Sequence, residues 1–193
     1  MIDPIDLKST IADVVSILVA RQLRFHLTGG LASSFYGEPR FTQDIDIVIQ
    51  VARGESLTQL IRDLSTRFIV DRAAVEDAVI RRSIFQALHQ ETLIKVDFHV
   101  GESIEGELDR SKNEEILSGV VVPLVSKEDA ILSKLIWVSK GSNKGRHDVK
   151  MMLKRSGKTD FDYLNAQAKK LGVDEILRAL IAETFPIAGT SGI

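Results

Sequence analysis

The sequence predicts an α/β (α+β) fold, in which a small mixed β-sheet flanked by helices is followed by a C-terminal helical lobe. Three observations carry that expectation. Short runs that alternate with period two are interspersed with runs at helical spacing as far as about residue 123. Two of the alternating runs are close enough in sequence to form a hairpin. From Ser126 onward the apolar spacing is helical throughout.

The elements follow in order. Ile11, Val14, Val15, Leu18 and Val19 recur at helical spacing, and either Asp3-Pro4 or Ser9-Thr10 suits the start of a helix that ends near Arg21. Arg24 to Thr28 alternates as a short strand, Gly29-Gly30 breaks it, and Leu31 to Tyr36 begins a second helix before the loop Gly37-Glu38-Pro39. Asp44 to Val51 is a strand with Ile45, Ile47 and Ile49 on one side and Asp44, Asp46 and Val48 on the other. Leu57 to Leu64 is helical, and Phe68-Ile69-Val70 is a candidate edge strand. Ile84 to His89 and Leu93 to Val100 are the hairpin, joined by Gln90-Glu91-Thr92. Val96, Phe98 and Val100 share one face of its second strand, and Lys95, Asp97 and His99 share the other.

A polar stretch follows, then a last strand at Gly119 to Pro123, and Ser126 as a capping-type serine. Asp129 to Val138, His147 to Leu153, Phe161 to Leu171 and Glu175 to Phe185 are helical, separated by Gly141 to Gly145, Gly157 and Gly172. The change of pattern divides the chain into an α/β core, residues 1–123, and a helical subdomain, residues 124–193.

With 193 residues and 44% hydrophobic content the chain can bury one substantial core. No run approaches the roughly 18 apolar residues of a membrane span, and the first residues lack the basic-then-apolar order of a secretory signal. A soluble, cytoplasmic protein with no membrane partner is expected. Without cysteine, chemistry must rest on carboxylates, hydroxyls, histidines, backbone or an acquired metal. The 25 basic and 27 acidic residues give a net charge of −2, so no global positive field points to nucleic acid. A local basic stretch, Lys140 to His147, reads as a glycine-broken loop that projects several cations, or equally as an ordinary solvated loop.

The sharpest local pattern is Thr28-Gly29-Gly30-Leu31-Ala32-Ser33, a strand that runs through two glycines into a helix with a serine in its first turn. Glycine lets backbone approach a phosphate, amides at the helix start point at it, and Ser33 adds a hydroxyl donor. Taken alone, such a turn needs glycine for steric reasons only. Asp44-Ile45-Asp46 follows with both carboxylates on one strand face. Two carboxylates about 5 Å apart at an effective dielectric near 20 repel by roughly 3 kcal/mol, and a divalent cation reverses that sign. The bland alternative is a solvated pair on an exposed sheet face. Asp97, mid-strand among residues built for a buried sheet, is a third acid whose isolation there would be costly. If its strand lies beside that of Asp44 and Asp46, the three can hold metal and activate an acceptor hydroxyl, with Asp97 taking the proton. His99 shares the Asp97 face and reads as a structural or surface residue.

Gly29-Gly30-x-x-Ser33, then Asp44-x-Asp46, then a separate Asp97, resembles the nucleotidyltransferase superfamily related to DNA polymerase beta. The run Gly29 to Ser33, the run Arg40-Phe41-Thr42-Gln43-Asp44-Ile45-Asp46 and the helical tail are similar to minimal bacterial and archaeal nucleotidyltransferases, including abortive-infection-type toxins. The motifs cover about residues 24–100, and the tail matches in general character. The resemblance implies that Gly29, Gly30 and Ser33 contact a nucleoside triphosphate and that Asp44, Asp46 and Asp97 hold Mg²⁺, or Mn²⁺, as a catalytic triad. It also implies a catalytic lysine, Lys134, and a nucleotide-binding aspartate, Asp148, in the tail. Residue by residue, Lys134 reads equally as a solvated helix position and Asp148 as a helix-start charge. Arg40 and Thr42 brace the site or serve an ordinary loop.

The function expected is transfer of a nucleoside monophosphate to an acceptor hydroxyl, with tRNA or protein preferred to a drug, and with a cognate antitoxin or regulator as partner. A non-catalytic nucleotide-binding or partner-binding module of the same fold is the alternative. The acid triad opposes it, since such a module has no chemical need for like charges on one sheet face.

Overall fold

The computed structural model describes residues 3–40, 42, 44–155 and 157–186. The elements run α1 (Pro4–Ala20), β1 (Arg24–Thr28), α2 (Gly29–Tyr36), β2 (Asp44–Gln50), α3 (Glu55–Leu64), β3 (Phe68–Val70), α4 (Arg72–Arg81), β4 (Ile84–His89), β5 (Lys95–Val100), α5 (Glu107–Arg110), β6 (Lys112–Leu117), β7 (Val120–Leu124), α6 (Lys127–Ser139), α7 (Asn143–Lys154), α8 (Phe161–Lys170) and α9 (Asp174–Thr184). The mixed α/β architecture with a helical C-terminal part is the one the sequence predicts.

The chain forms two compact units. One holds α1, β1, α2 as far as Ala32, and the segment from Thr42 to Ser126; the other holds Ser33–Arg40 and the helices from Lys127 onward. The strands of the first unit make one sheet in the order β3-β4-β5-β2-β1-β7-β6. β2 lies between β1, its antiparallel neighbour, and β5, its parallel neighbour. This central position explains its composition. Ile45, Ile47 and Ile49 are fully buried, as are Val96 and Phe98 on β5, and each such side chain contributes about 1.5–3 kcal/mol relative to exposure. α1 runs along α3 and β7, α3 along β3, and α4 along β4. α1 begins where the Asp3 carboxylate accepts from the Ile5 N–H at 2.8 Å and Pro4 occupies the first turn, which selects Asp3-Pro4 over Ser9-Thr10 as the helix start.

Three segments differ from the sequence expectation. α4 arises where no element is predicted: Asp71 caps it by accepting from the Ala73 and Ala74 N–H groups, while only Val75, Ala78 and Val79 give it a buried side. The polar stretch after β5 contains β6, an edge strand whose Lys112-Asn113-Glu114-Glu115 start leaves it half-buried at most, so no alternation marks it. The basic stretch is a loop only as far as Ser142. Ser142 accepts from the Gly145 N–H at 3.1 Å and starts α7, so Lys144, Arg146 and His147 are helical. Arg146 pairs with Glu183 at 2.7 Å and His147 with Glu38 at 3.3 Å, so two of the stretch's cations have acidic partners at the surface.

In the second unit the interior is built from Ile131, Leu132 and Leu135 of α6, Val149 and Met152 of α7, Leu164 and Ala168 of α8, and Leu177 and Leu180 of α9. Among the described residues, no helix is long and apolar enough to cross a membrane.

Candidate active site

The parallel register of β2 and β5 decides where the acids meet. Asp44 is opposite Lys95, Asp46 opposite Asp97, and Val48 opposite His99. In a parallel pair, register partners point to the same side of the sheet, so Asp44, Asp46, Lys95, Asp97 and His99 share one face. The opposite face is the isoleucine-rich core. Asp97 therefore joins Asp44 and Asp46 as the sequence reading required.

Gly29 and Gly30 bring the start of α2 against this face. Gly29 has φ +62°, in the left-handed region, and a Cβ built on it would lie 1.8 Å from Asp46 Oδ2. Glycine is thus required both by backbone conformation and by the carboxylate that packs on it. The Gly30 N–H lies 3.4 Å from the same oxygen. On its other side Asp46 Oδ1 is 3.3 Å from His99 Nε2. Thr42, buried beside the strand, donates its hydroxyl to the Asp44 carbonyl oxygen at 2.9 Å and lies 3.2 Å from Asp44 Oδ1. Phe41 and Gln43, in the same sequence run, lie outside the described residues.

Lys95 reaches into the acid group. Its Nζ donates to Asp97 Oδ2 at 2.9 Å and is 3.8 Å from Asp44 Oδ2. The Asp97 hydrogen bond raises the Lys95 pKa above the ordinary lysine value; burial works against this, and the charges of Asp97, Asp44 and Asp46 add to it. The second Asp97 oxygen, Oδ1, is buried without a hydrogen-bond partner among the described residues. As the side chains stand, no group of three or more carboxylates or imidazoles among the described residues is arranged to hold a metal ion. The donor set nevertheless suits a hard divalent cation: acids on one face, an orphaned buried oxygen, and a lysine ammonium already drawn among the carboxylates. Lys95 is a neighbour of the acids to which the sequence reading gave no role, and His99, read there as a structural or surface residue, stands on the same face. Their signal was present in the period-two alternation with Asp97.

The second unit carries the remaining candidates. Asp148 on α7 is 3% exposed and accepts a two-point contact from Arg40, Nε to Oδ1 at 3.1 Å and Nη2 to Oδ2 at 3.0 Å. Lys134 on α6 approaches Asp148 Oδ2 at 3.2 Å. Burial works to raise the Asp148 pKa, but Arg40 and Lys134 outweigh it and hold the carboxyl below its usual value. Neither of the bland alternatives for Lys134 and Asp148 applies, because both side chains are largely or wholly buried in one ion cluster. Arg40 is further fixed where its backbone carbonyl accepts from Ser34 Oγ at 3.0 Å. Ser33 is buried on α2 and belongs to this unit.

The fold is that of the nucleotidyltransferases. An antigenic nucleotidyltransferase-like protein from Paracoccidioides brasiliensis matches with a TM-score of 0.54 at 20% identity, over 94% of each chain. The antibiotic-resistance factor ANT(2'')-Ia matches with a TM-score of 0.55 at 14% identity, over 92% of this chain and 94% of its own. The lincosamide antibiotic adenylyltransferase LnuA matches with a TM-score of 0.50 at 14% identity, over 80% of this chain and 99% of its own. No curated protein matches the chain by sequence. The model of the AbiEii nucleotidyl transferase toxin family, of type IV toxin–antitoxin systems, matches residues 17–186. The chain belongs to that family, and it is a nucleotidyltransferase.

Proposed function

We propose that this enzyme moves a nucleoside monophosphate from a nucleoside triphosphate to a hydroxyl of tRNA or protein, at a Mg²⁺-dependent centre formed by Asp44, Asp46 and Asp97. The observation that carries the reading is the direct register pairing of Asp46 with Asp97, on the face against which Gly29 packs. Divalent ions held by the three aspartates would offset the triphosphate charge and lower the pKa of the acceptor hydroxyl.

The chain's own groups then have distinct tasks. Gly29 and Gly30 bring backbone close to the phosphates, and the amides at the start of α2 favour their charge. Asp97, through a buried oxygen that has no hydrogen-bond partner among the described residues, takes the acceptor proton. The acceptor oxygen bonds to the α-phosphorus, the bond from that phosphorus to the bridging oxygen breaks, and pyrophosphate leaves with the electron pair. The family resemblance gives Ser33 and Asp148 a nucleotide-binding role and Lys134 a catalytic one. The Arg40–Asp148–Lys134 cluster supports this by gathering two cations around one carboxylate, a setting in which an anionic ligand is favoured. A toxin family supports tRNA or protein over a drug as acceptor, and a cognate antitoxin as partner.

Incubation with each labelled nucleoside triphosphate, Mg²⁺ and total tRNA or cell lysate tests the proposal. Wild type is expected to label an acceptor, and the Asp44→Ala, Asp46→Ala double variant is not. Undiminished transfer by the double variant would remove these residues from the mechanism.

A further inference from the structure

One ammonium group bridges two of the three aspartates. Lys95 Nζ is 2.9 Å from Asp97 Oδ2 and 3.8 Å from Asp44 Oδ2, and it is carried by the strand position opposite Asp44. The third aspartate, Asp46, is turned to the Gly30 N–H and to His99. These carboxylates thus have partners that hold them without a metal. The carboxylates Lys95 engages are two of the three that the metal-site reading assigns to the ion.

We propose that Lys95 is a resident counter-ion of the acid group, seated on Asp97 and Asp44 in the metal-free enzyme and displaced when a divalent ion binds. The inference rests on the metal-site reading above. An ammonium and a divalent ion within about 4 Å of each other repel strongly at any dielectric a protein offers, so they compete for the same carboxylates. Lys95 can leave: its side chain is 39% exposed, and a flexible four-carbon stem lets the charge swing into water. Two consequences follow. The metal-free protein is relieved of carboxylate repulsion, and every ion that enters competes with a tethered cation at high local concentration. Lys95 therefore sets the affinity for free metal.

Mn²⁺ binding to the full chain without nucleotide, followed by titration calorimetry or by the electron paramagnetic resonance of the free ion, tests this. Lys95→Met removes the charge and keeps the stem, Lys95→Gln does the same with a polar end, and Lys95→Arg keeps the charge. The neutral variants are expected to bind Mn²⁺ at least about tenfold more tightly than wild type, and Lys95→Arg within about threefold of it. Without metal the neutral variants should melt below wild type, and saturating Mn²⁺ should raise their Tm by more than it raises that of wild type. Neutral variants that fold and bind Mn²⁺ no more tightly than wild type overturn the counter-ion role while leaving the metal site standing. If the Asp44→Ala, Asp46→Ala variant binds Mn²⁺ as well as wild type does, the metal-site reading itself fails, and the counter-ion role with it.

Discussion

Asp46 on β2 and Asp97 on β5 are direct partners in a parallel register, which places two carboxylates from distant parts of the chain side by side on one sheet face. Like charges so placed cost stability unless a cation joins them. One Asp97 oxygen is bound by Lys95, and the other is buried without a hydrogen-bond partner among the described residues. Asp97→Asn keeps the shape and removes the charge. Transfer by this variant is expected to fall by about 10²- to 10⁴-fold, the range for loss of a proton-accepting group. Single-turnover labelling alongside a melting curve checks the expectation, because a folded variant that keeps full activity would exclude Asp97 as base.

Gly29 separates a backbone requirement from a steric one. Gly29→Ala places a Cβ 1.8 Å from Asp46 Oδ2 at φ +62°, whereas Gly172→Ala, at φ +68°, meets nothing within 4 Å. Both substitutions should cost about 1–2 kcal/mol from left-handed strain, seen in urea unfolding. Only Gly29→Ala must move the Asp46 carboxylate. A displacement near 1 Å at a reacting group can cost about 10²-fold, so labelled transfer should fall by that order for Gly29→Ala and stay unchanged for Gly172→Ala. Equal activity losses in the two variants would mean that the Gly29–Asp46 contact has no part in catalysis.

The central strands were legible because burial on one face and acids on the other impose a strict period of two on Asp44-Ile45-Asp46-Ile47 and on Val96-Asp97-Phe98. Their pairing was not, since alternation assigns faces but leaves open which strand lies beside which. β6 was hidden for a related reason: an edge strand that buries no side chain has no apolar rhythm. The ion pairs of the Lys140 to His147 segment were not legible, because charge in sequence carries no record of partners, and those of Arg146 and His147, Glu183 and Glu38, are distant in the chain. Lys134 and Asp148 came from resemblance alone. No local pattern announces that an arginine before the Asp-x-Asp run will close on Asp148.

That arginine is the subject of a third expectation. Arg40 donates two hydrogen bonds to a carboxylate that is 3% exposed, with Lys134 as its other cationic partner. Arg40→Ala removes the fork but leaves Lys134, so the loss should be about 1.5–3 kcal/mol rather than the larger figure for a wholly unpaired buried charge. Arg40→Lys keeps the charge without the planar fork and should fall between wild type and alanine. Urea unfolding measures the order; an Arg40→Lys variant as stable as wild type would show that charge alone, not the two-point geometry, holds Asp148.

The same cluster makes a prediction about acid. The Asp148 pKa is held below its ordinary value of 3.8 because Arg40 and Lys134 outweigh the effect of burial. A carboxyl with a depressed folded-state pKa binds fewer protons folded than unfolded, so the folded state is favoured as pH rises. Its contribution is complete above the unfolded pKa, near 3.8, and is lost as pH falls through the lower folded value. Asp148→Asn lacks the titrating group. Wild type should therefore be the more stable of the two at neutral pH, by a margin that stays constant down to about pH 4 and then narrows with further acidification. Unfolding free energies of both proteins at a series of pH values from 7 to 3 supply the test. Because the other carboxylates titrate alike in both chains, their contribution cancels in the difference. A margin that widened on acidification would require a raised Asp148 pKa, which is the opposite of what two cations at hydrogen-bonding distance produce.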